Sequence, residues 1–97
     1  MKDRIQAIVI NARDTVATAL EPLAVGATVF AEVRGRVEEI QLVSDIPMGH
    51  KFALKDMEQG EAVVKYGEPI GQCTARIARG EHVHVHNVAS QPRGAPV

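Results

Sequence analysis

Short apolar runs punctuated by glycine are the feature that most constrains the fold of this chain. Nothing sustains a helical period over three turns, and glycines at 26, 35, 49, 60, 67, 71 and 80 interrupt the runs at intervals typical of strands of about four to eight residues. The candidate strands are residues 5–10, 15–20, 27–33, 36–43, 51–54, 62–66, 70–77 and 82–88. The pattern predicts a small all-β domain.

Glycine also predicts how the strands are joined. Arg34-Gly35-Arg36 stands between two valines and indicates a tight hairpin turn, because glycine adopts a positive φ at little cost. At three other places an apolar residue precedes glycine by three positions: Leu23 and Gly26, Met57 and Gly60, and Ile77 and Gly80. We interpret each as a single helical turn ended by a left-handed glycine, with Asp56 capping the middle one. The segment Gly67-Glu68-Pro69-Ile70-Gly71 is interpreted as a further turn.

Composition limits both size and partners. A chain of 97 residues that is 45% apolar suits one domain with one modest core, mostly aliphatic because only Phe30, Phe52 and Tyr66 are aromatic. The net charge is −1, with acidic and basic residues interspersed, so no basic surface favours nucleic acid as a partner. We expect the domain to span residues 1–89 and residues 90–97, which contain Pro92, Gly94 and Pro96, to form a flexible tail.

The lone cysteine and the N-terminal sequence bear on location. Cys73 has no intrachain partner, which fits a reducing compartment, and a small buried hydrophobe is the favoured interpretation of it. The apolar run from Ile5 to Ile10 is too short for a signal peptide or a membrane span. We therefore expect a cytoplasmic protein that does not associate with membranes.

Three of the four histidines fall in the run Gly80-Glu81-His82-Val83-His84-Val85-His86-Asn87. In an extended strand the three imidazoles would share one face, and the Cα atoms of His82 and His86 would lie roughly 13 Å apart. One metal ion could then use an adjacent pair, His82 with His84 or His84 with His86, but not the two outer rings together. The spacing leaves the alternative open that this is a polar edge strand whose histidines bind water.

Two further polar groups precede that run. In Gly49-His50-Lys51, the histidine could ligate a metal or transfer a proton and the lysine could bind a carboxylate, although local sequence alone favours a solvent-facing Lys51 at the start of a strand. In Asn11-Ala12-Arg13-Asp14-Thr15, the polar side chains could equally form a simple turn. No self-contained catalytic set is present, which indicates a site completed by another chain.

Together these segments resemble a known family. Ile46-Pro47-Met48-Gly49-His50-Lys51-Phe52-Ala53-Leu54, Val64-Lys65-Tyr66-Gly67-Glu68-Pro69-Ile70-Gly71 and the histidine run, in this order, closely resemble the altronate/galactarate dehydratase family. The matching part of that family is its small SAF domain, and the resemblance implies a compact β-clip fold up to about Asn87.

The resemblance implies a lyase that acts on sugar acids such as altronate or galactarate, commonly with a divalent metal, Fe²⁺ above all. In this family the SAF domain is either fused to a long catalytic domain or forms a separate subunit. The chain is similar to the free-standing small subunit, which implies a large dehydratase subunit as partner and no activity without it. Exposed strand edges also favour a homo-oligomer.

The site residues follow from matching motif positions. The resemblance implies His84, His86 and His50 as metal ligands, His50 and Lys51 as catalytic residues, and Lys51, Asn87 and Asp14 as substrate-binding residues. His82 stands where altronate dehydratases often carry an aromatic residue, which ranks it below the other histidines as a ligand. Thr15 replaces the asparagine usual after Asp14 and weakens the assignment of that segment.

Two alternatives remain beside a sugar-acid dehydratase. One is the small subunit of a (2R)-sulfolactate sulfo-lyase, the split variant of the family that eliminates sulfite instead of water. The other is a non-catalytic SAF-type module that binds a ligand or helps assembly, as in sialic acid synthases.

Overall fold

The computed structural model describes residues 4–90. Across this range the chain forms nine β-strands and no helix, so the all-β prediction is confirmed. The strands are β1 Ala7–Ile8, β2 Val16–Ala19, β3 Thr28–Val33, β4 Arg36–Gln41, β5 Lys51–Ala53, β6 Ala62–Lys65, β7 Glu68–Cys73, β8 His82–Val83 and β9 Val88–Ala89. Apart from Ser90, the tail predicted over residues 90–97 lies outside the described residues.

Two sheets carry these strands. The larger has the order β4-β3-β1-β2-β5-β8, in which β1 pairs with β3 in parallel and every other pair is antiparallel. The smaller has the order β6-β7-β9 and is antiparallel throughout. Because β5 pairs with β2 on one side and β8 on the other, it brings the segment around His50 next to the segment around His82.

Both hairpins turn through two residues of positive φ. Arg34 and Gly35, with φ of 53° and 78°, join β3 to β4, which confirms the predicted hairpin. Tyr66 and Gly67, with φ of 58° and 76°, join β6 to β7 in the same way. The interpretation of residues 67–71 as a turn is therefore wrong: the turn ends at Gly67, and Glu68 begins a strand that carries a bulge opposite Val63 and Val64.

Four glycine corners, residues 24–27, 47–50, 58–61 and 78–81, separate other strands. In each, the first residue's carbonyl accepts a hydrogen bond of 3.0–3.1 Å from the fourth residue's amide, and the glycine in third position has φ between 81° and 88°. These are the features of type II turns. The left-handed glycines are confirmed, but the single helical turns are wrong, and the corner at Gly49 is a fourth one beside the three that the spacing predicts.

The residues before the corners are extended because they pair with one another. Leu23 bridges Ile46, and Met57 bridges Ile77, each through two backbone hydrogen bonds of 2.8–2.9 Å. Asp56 does not cap its own corner: its carboxylate accepts a 2.8 Å bond from the amide of Arg79 in the corner opposite. The strand-like pairing thus replaces the helical turns that the spacing suggested.

The core is divided into two clusters rather than one. Strands β2 and β5 are buried on both faces, so that Ala17 and Phe52 pack on one side while Val16 and Ala53 pack on the other. The first cluster also contains Leu23, Val29, Ile40, Leu42 and Ile46, and the second contains Met57, Val63, Cys73, Ile77 and Val83. The predicted aliphatic character is confirmed, since Phe52 is the only aromatic residue among the buried core residues of the described range.

No helix of the described range is long and apolar enough to cross a membrane.

Candidate metal-binding site

The histidine site begins at the corner formed by residues 47–50. Gly49 turns the chain with φ of 81°, and the amide of Ala19 at the end of β2 donates a 2.9 Å hydrogen bond to the carbonyl of His50. The next residue opens β5, where Phe52 pairs with His82 of β8. His50 and His82, distant in sequence, are therefore neighbours at one end of the sheet.

The predicted extended strand over residues 82–88 is wrong. Strand β8 ends at Val83, and the following four residues turn so that the amides of Asn87 and Val88 both donate 3.1 Å bonds to the carbonyl of His84. The Asn87 carboxamide holds this turn: its Oδ1 accepts from the amide of His84 at 3.0 Å, and its Nδ2 donates to the carbonyl of His82 at 2.9 Å. Val85 consequently lies at the tip of the turn and is 82% exposed.

The turn gathers all four imidazoles. The ring of His50 lies 5.1 Å from that of His82 and 4.4 Å from that of His84, centroid to centroid, and the His82 and His84 rings are 5.5 Å apart. The His86 ring lies 5.2 Å from that of His82, not at the far end of a strand. The 13 Å separation expected for an extended backbone does not apply, because the chain reverses between these two histidines.

Three of the rings form a compact donor set. Ligand nitrogens of His50, His82 and His84 all lie within 4.8 Å of one another, and all three side chains are half-buried. His86, which the family motif assigned to the metal, is exposed and stands outside this trio, whereas His82, which it ranked lower, is inside. The signal in the sequence for this arrangement is Asn87, whose amide can bond to the backbone and stabilise a turn.

The donor set fits a divalent transition metal. Nδ1 of His50 and Nε2 of His82 are 2.9 Å apart. Two nitrogen ligands, each about 2.1 Å from one ion, stand about 3 Å apart when they subtend a right angle. Imidazole suits zinc, iron, nickel and copper, and a set of three neutral imidazoles leaves further coordination positions open for a substrate oxygen or water.

The electrostatics of the site favour the neutral form of the His82 and His84 imidazoles. Partial burial lowers the pKa of His82 below its ordinary value, and the nearby His86, His50, His84 and Lys51 lower it further. Burial, followed by the proximity of His50, Lys51 and His86, lowers the pKa of His84 in the same direction. Only the neutral ring binds a metal ion, so the lowered pKa values allow both histidines to act as ligands at lower pH than an ordinary histidine.

Lys51 lies near His84. Its side chain is half-buried, and its pKa is lowered by that burial and by the proximity of Lys65. Together with His84 it lines a cavity of about 140 Å³. The structure thus places the predicted lysine beside the histidine site.

The two remaining predicted residues have structural partners. Asn87 is 5% exposed, and both the oxygen and the nitrogen of its carboxamide form hydrogen bonds within the turn described above. Asp14 is 7% exposed, and its carboxylate accepts a 2.8 Å bond from the amide of Gly67 and a 3.1 Å bond from the amide of Asn11. Asp14 precedes β2, whereas His50 is bonded to the last residue of β2, so the structure does not bring Asp14 to the histidines.

Cys73 is buried, as predicted. Burial, followed by the nearby Glu61, raises the pKa of its thiol, which disfavours the reactive thiolate.

Comparison with known proteins gives consistent matches. A family model described as the altronate/galactarate dehydratase SAF domain matches residues 5–91. Altronate dehydratase of Escherichia coli K12 is 49% identical over 82 residues, which are 84% of this chain and 16% of that protein. The alpha subunits of (2R)-sulfolactate sulfo-lyase from Chromohalobacter salexigens and Paracoccus pantotrophus are 43% and 50% identical over 56 and 44 residues. Those stretches are 58% and 45% of this chain and 60% and 66% of the two subunits.

Proposed function

The chain belongs to the altronate/galactarate dehydratase SAF-domain family, and on this premise we propose that it is the metal-binding small subunit of a hydroxy-acid lyase. The observation that carries the proposal is the convergence of His50, His82 and His84, with all ligand nitrogens within 4.8 Å. A divalent ion held there, Fe²⁺ by the family resemblance, would polarise a substrate carboxylate and acidify the adjacent C–H bond.

The side chains have distinct roles in this proposal. His50, His82 and His84 hold the ion, and the exposed His86 packs beside the ring of His82 with 5.2 Å between the ring centroids. Lys51 binds the acid group of the substrate, and Asn87 fixes the backbone that presents His82 and His84. Asp14 keeps the adjacent loop in place through Gly67 and does not contact substrate.

A separate large subunit is part of the proposal. The chain spans about a sixth of the length of the altronate dehydratase it matches, so most of that enzyme has no counterpart in these residues. Two relatives are named as alpha subunits, which supports an assembly of separate chains. The large subunit would supply the base that removes the proton, and the small one would be inactive alone. We place the enzyme in the cytoplasm, because a single cysteine suits a reducing compartment.

The substrate is a sugar acid such as altronate or galactarate. Sulfolactate is the second candidate, since the relatives named as sulfo-lyase subunits match with similar identity, although over shorter stretches than the dehydratase does. All of these substrates are hydroxy acids that carry at least one carboxylate, a group that a metal ion and the ammonium of Lys51 could bind in either case.

Isolation of the intact complex tests the proposal. Tagged chain is captured anaerobically from its own host, its partners are identified by mass spectrometry, and the complex is assayed with altronate, galactarate and sulfolactate. We expect a stoichiometric partner of dehydratase size and elimination from one of the three acids.

Matched variants connect that activity to the site. His82→Ala should abolish turnover, whereas Val37→Ala, at an exposed position on β4, should leave it unchanged. A chain that is captured alone, even after crosslinking, contradicts the proposal and favours a non-catalytic binding module.

A further inference from the structure

The cavity beside the histidines is lined mostly by apolar side chains and has one lysine but no acidic side chain. Its walls are apolar and come from Ile70, Val83, Val85 and Val88. Its polar lining consists of Lys51, His84 and Ser90, and none of these is an acid. Within residues 4–90, the Lys51 ammonium forms no ion pair with a carboxylate, whereas the five ion pairs of that range engage one other lysine, Lys55, and three arginines.

A half-buried ammonium group without a counter-ion favours an anionic ligand. Removing a cation from water is costly unless an opposite charge replaces the lost hydration. Charge-assisted hydrogen bonds from lysine to carboxylate or sulfonate oxygens provide that compensation. The apolar walls beside the ammonium lower the local dielectric and strengthen the attraction.

The size of the cavity limits how much of a ligand can enter. Its volume is about 140 Å³. An apolar cavity of about 150 Å³ accommodates benzene, so this one holds about six non-hydrogen atoms. That is the size of lactate, the simplest three-carbon hydroxy acid, while a six-carbon sugar acid is about twice as large and can place only one end inside.

We propose that this cavity is a subsite for the acid end of the substrate, in which Lys51 pairs with a carboxylate or sulfonate and apolar walls enclose the adjoining carbons. The inference rests on the proposed lyase function and deepens it. Because His84 lines the cavity and also belongs to the histidine trio, a ligand bound there lies directly beside the metal-binding side chains. The remaining hydroxylated part of a longer acid would project outwards, towards the large subunit.

Ligand titration of the 97-residue chain tests this subsite without turnover. Methyl NMR signals of Ile70, Val83 and Val88 are followed while lactate, methanesulfonate, gluconate or lactamide is added to metal-free protein. Lactamide has the shape of lactate without its charge. We expect lactate to shift these signals and lactamide to bind about tenfold more weakly or worse. Methanesulfonate reports whether a sulfonate is accepted, and gluconate reports whether a longer acid enters by one end.

Charge variants locate the interaction. Lys51→Met keeps the aliphatic stem and should weaken lactate binding about tenfold, whereas Lys55→Met, at an exposed lysine that pairs with Glu61 and does not line the cavity, should change it little. Val85→Glu places a negative charge at an exposed residue of the cavity wall and should also weaken lactate binding. Val25→Glu, at an exposed residue that does not line the cavity, is the matched control and should leave lactate binding unchanged. Equal binding of lactate and lactamide, or unchanged binding in both Lys51→Met and Val85→Glu, would overturn the proposal.

The outcome is separable from that of the proposed function. Zinc titration of the same sample measures the histidine site independently of Lys51. Metal binding without lactate binding overturns the subsite alone, and lactate binding without metal binding overturns the metal site while the subsite stands.

Discussion

Nδ1 of His50 lies 2.9 Å from Nε2 of His82, although 32 residues separate the two histidines in the chain. Strands β5 and β8 create this contact by pairing Phe52 with His82. The turn held by Asn87 then adds the ring of His84, 4.4 Å from that of His50. The donor set is thus a product of long-range strand pairing together with one local turn.

Loss of the Asn87 side chain should disturb both stability and the site. Asn87→Ala removes the partners of the His84 amide and the His82 carbonyl, which we expect to lower the free energy of unfolding by about 1–3 kcal/mol. Urea denaturation measures this loss. Asn87→Asp retains the acceptor but not the donor and should fall between wild type and Asn87→Ala. Equal stability of all three proteins would show that the carboxamide does not hold the turn.

Asp14 should matter for stability and not for substrate. Asp14→Ala leaves the buried amide of Gly67 without an acceptor, with an expected cost of about 1–3 kcal/mol in unfolding free energy. The KM of the assembled enzyme should be unchanged at a temperature where the variant is folded. A raised KM with unaltered stability would instead support the substrate-binding role that the family motif suggested.

Two glycine corners with the same backbone should respond differently to alanine. Gly26 and Gly80 have φ of 85° and 86°, so Gly→Ala at either one adds a left-handed strain of about 1–2 kcal/mol. A Cβ at Gly26 meets open space, whereas one at Gly80 collides with the carbonyl oxygen of Gln41. Gly80→Ala should therefore lower the free energy of unfolding by about 1–3 kcal/mol more than Gly26→Ala does, as measured by urea denaturation. Similar costs for the two would contradict the close approach of the Gly80 corner to β4.

The histidine pKa values should be visible in the metal-free protein. We expect His82 and His84 to titrate below their ordinary value of 6.5, as followed by the Cε1 proton shifts in NMR. The folded chain then binds fewer protons than the unfolded chain below about pH 6.5, so the free energy of unfolding decreases as the pH falls through this region. His82→Gln should make that decrease smaller. Titration of His82 above 6.5 would contradict the partial burial and the positive surroundings described for it.

The sequence was sufficient for most of the strands, because short apolar runs and glycine reflect local backbone preferences, and the order of its motifs was sufficient for the family. It failed where a side chain competes with the backbone pattern. The alternation of histidine and valine over residues 82–86 has the period of a strand. The chain nevertheless turns after Val83, because the Asn87 carboxamide accepts one hydrogen bond from this segment and donates another to it. Leu23 and Met57 precede glycines at helical spacing, yet each pairs with a residue far along the chain.

The same limit explains the histidine assignments. Membership in the donor trio depends on how β5 pairs with β8, a contact between segments about thirty positions apart that no local spacing encodes. His50 and Lys51 could be predicted as site residues from their sequence motif. His82 could be assigned to the donor trio only once the pairing of β5 with β8 was known.

Zinc titration with NMR detection of the histidine ring nitrogens tests the central claim most directly. Zn²⁺ serves as a diamagnetic probe for the site proposed to hold Fe²⁺. The account predicts one ion per chain, with large shifts of the coordinating nitrogens of His50, His82 and His84 and a smaller change at His86. Absence of stoichiometric binding, or coordination through His84 and His86 while His82 is unaffected, would contradict it.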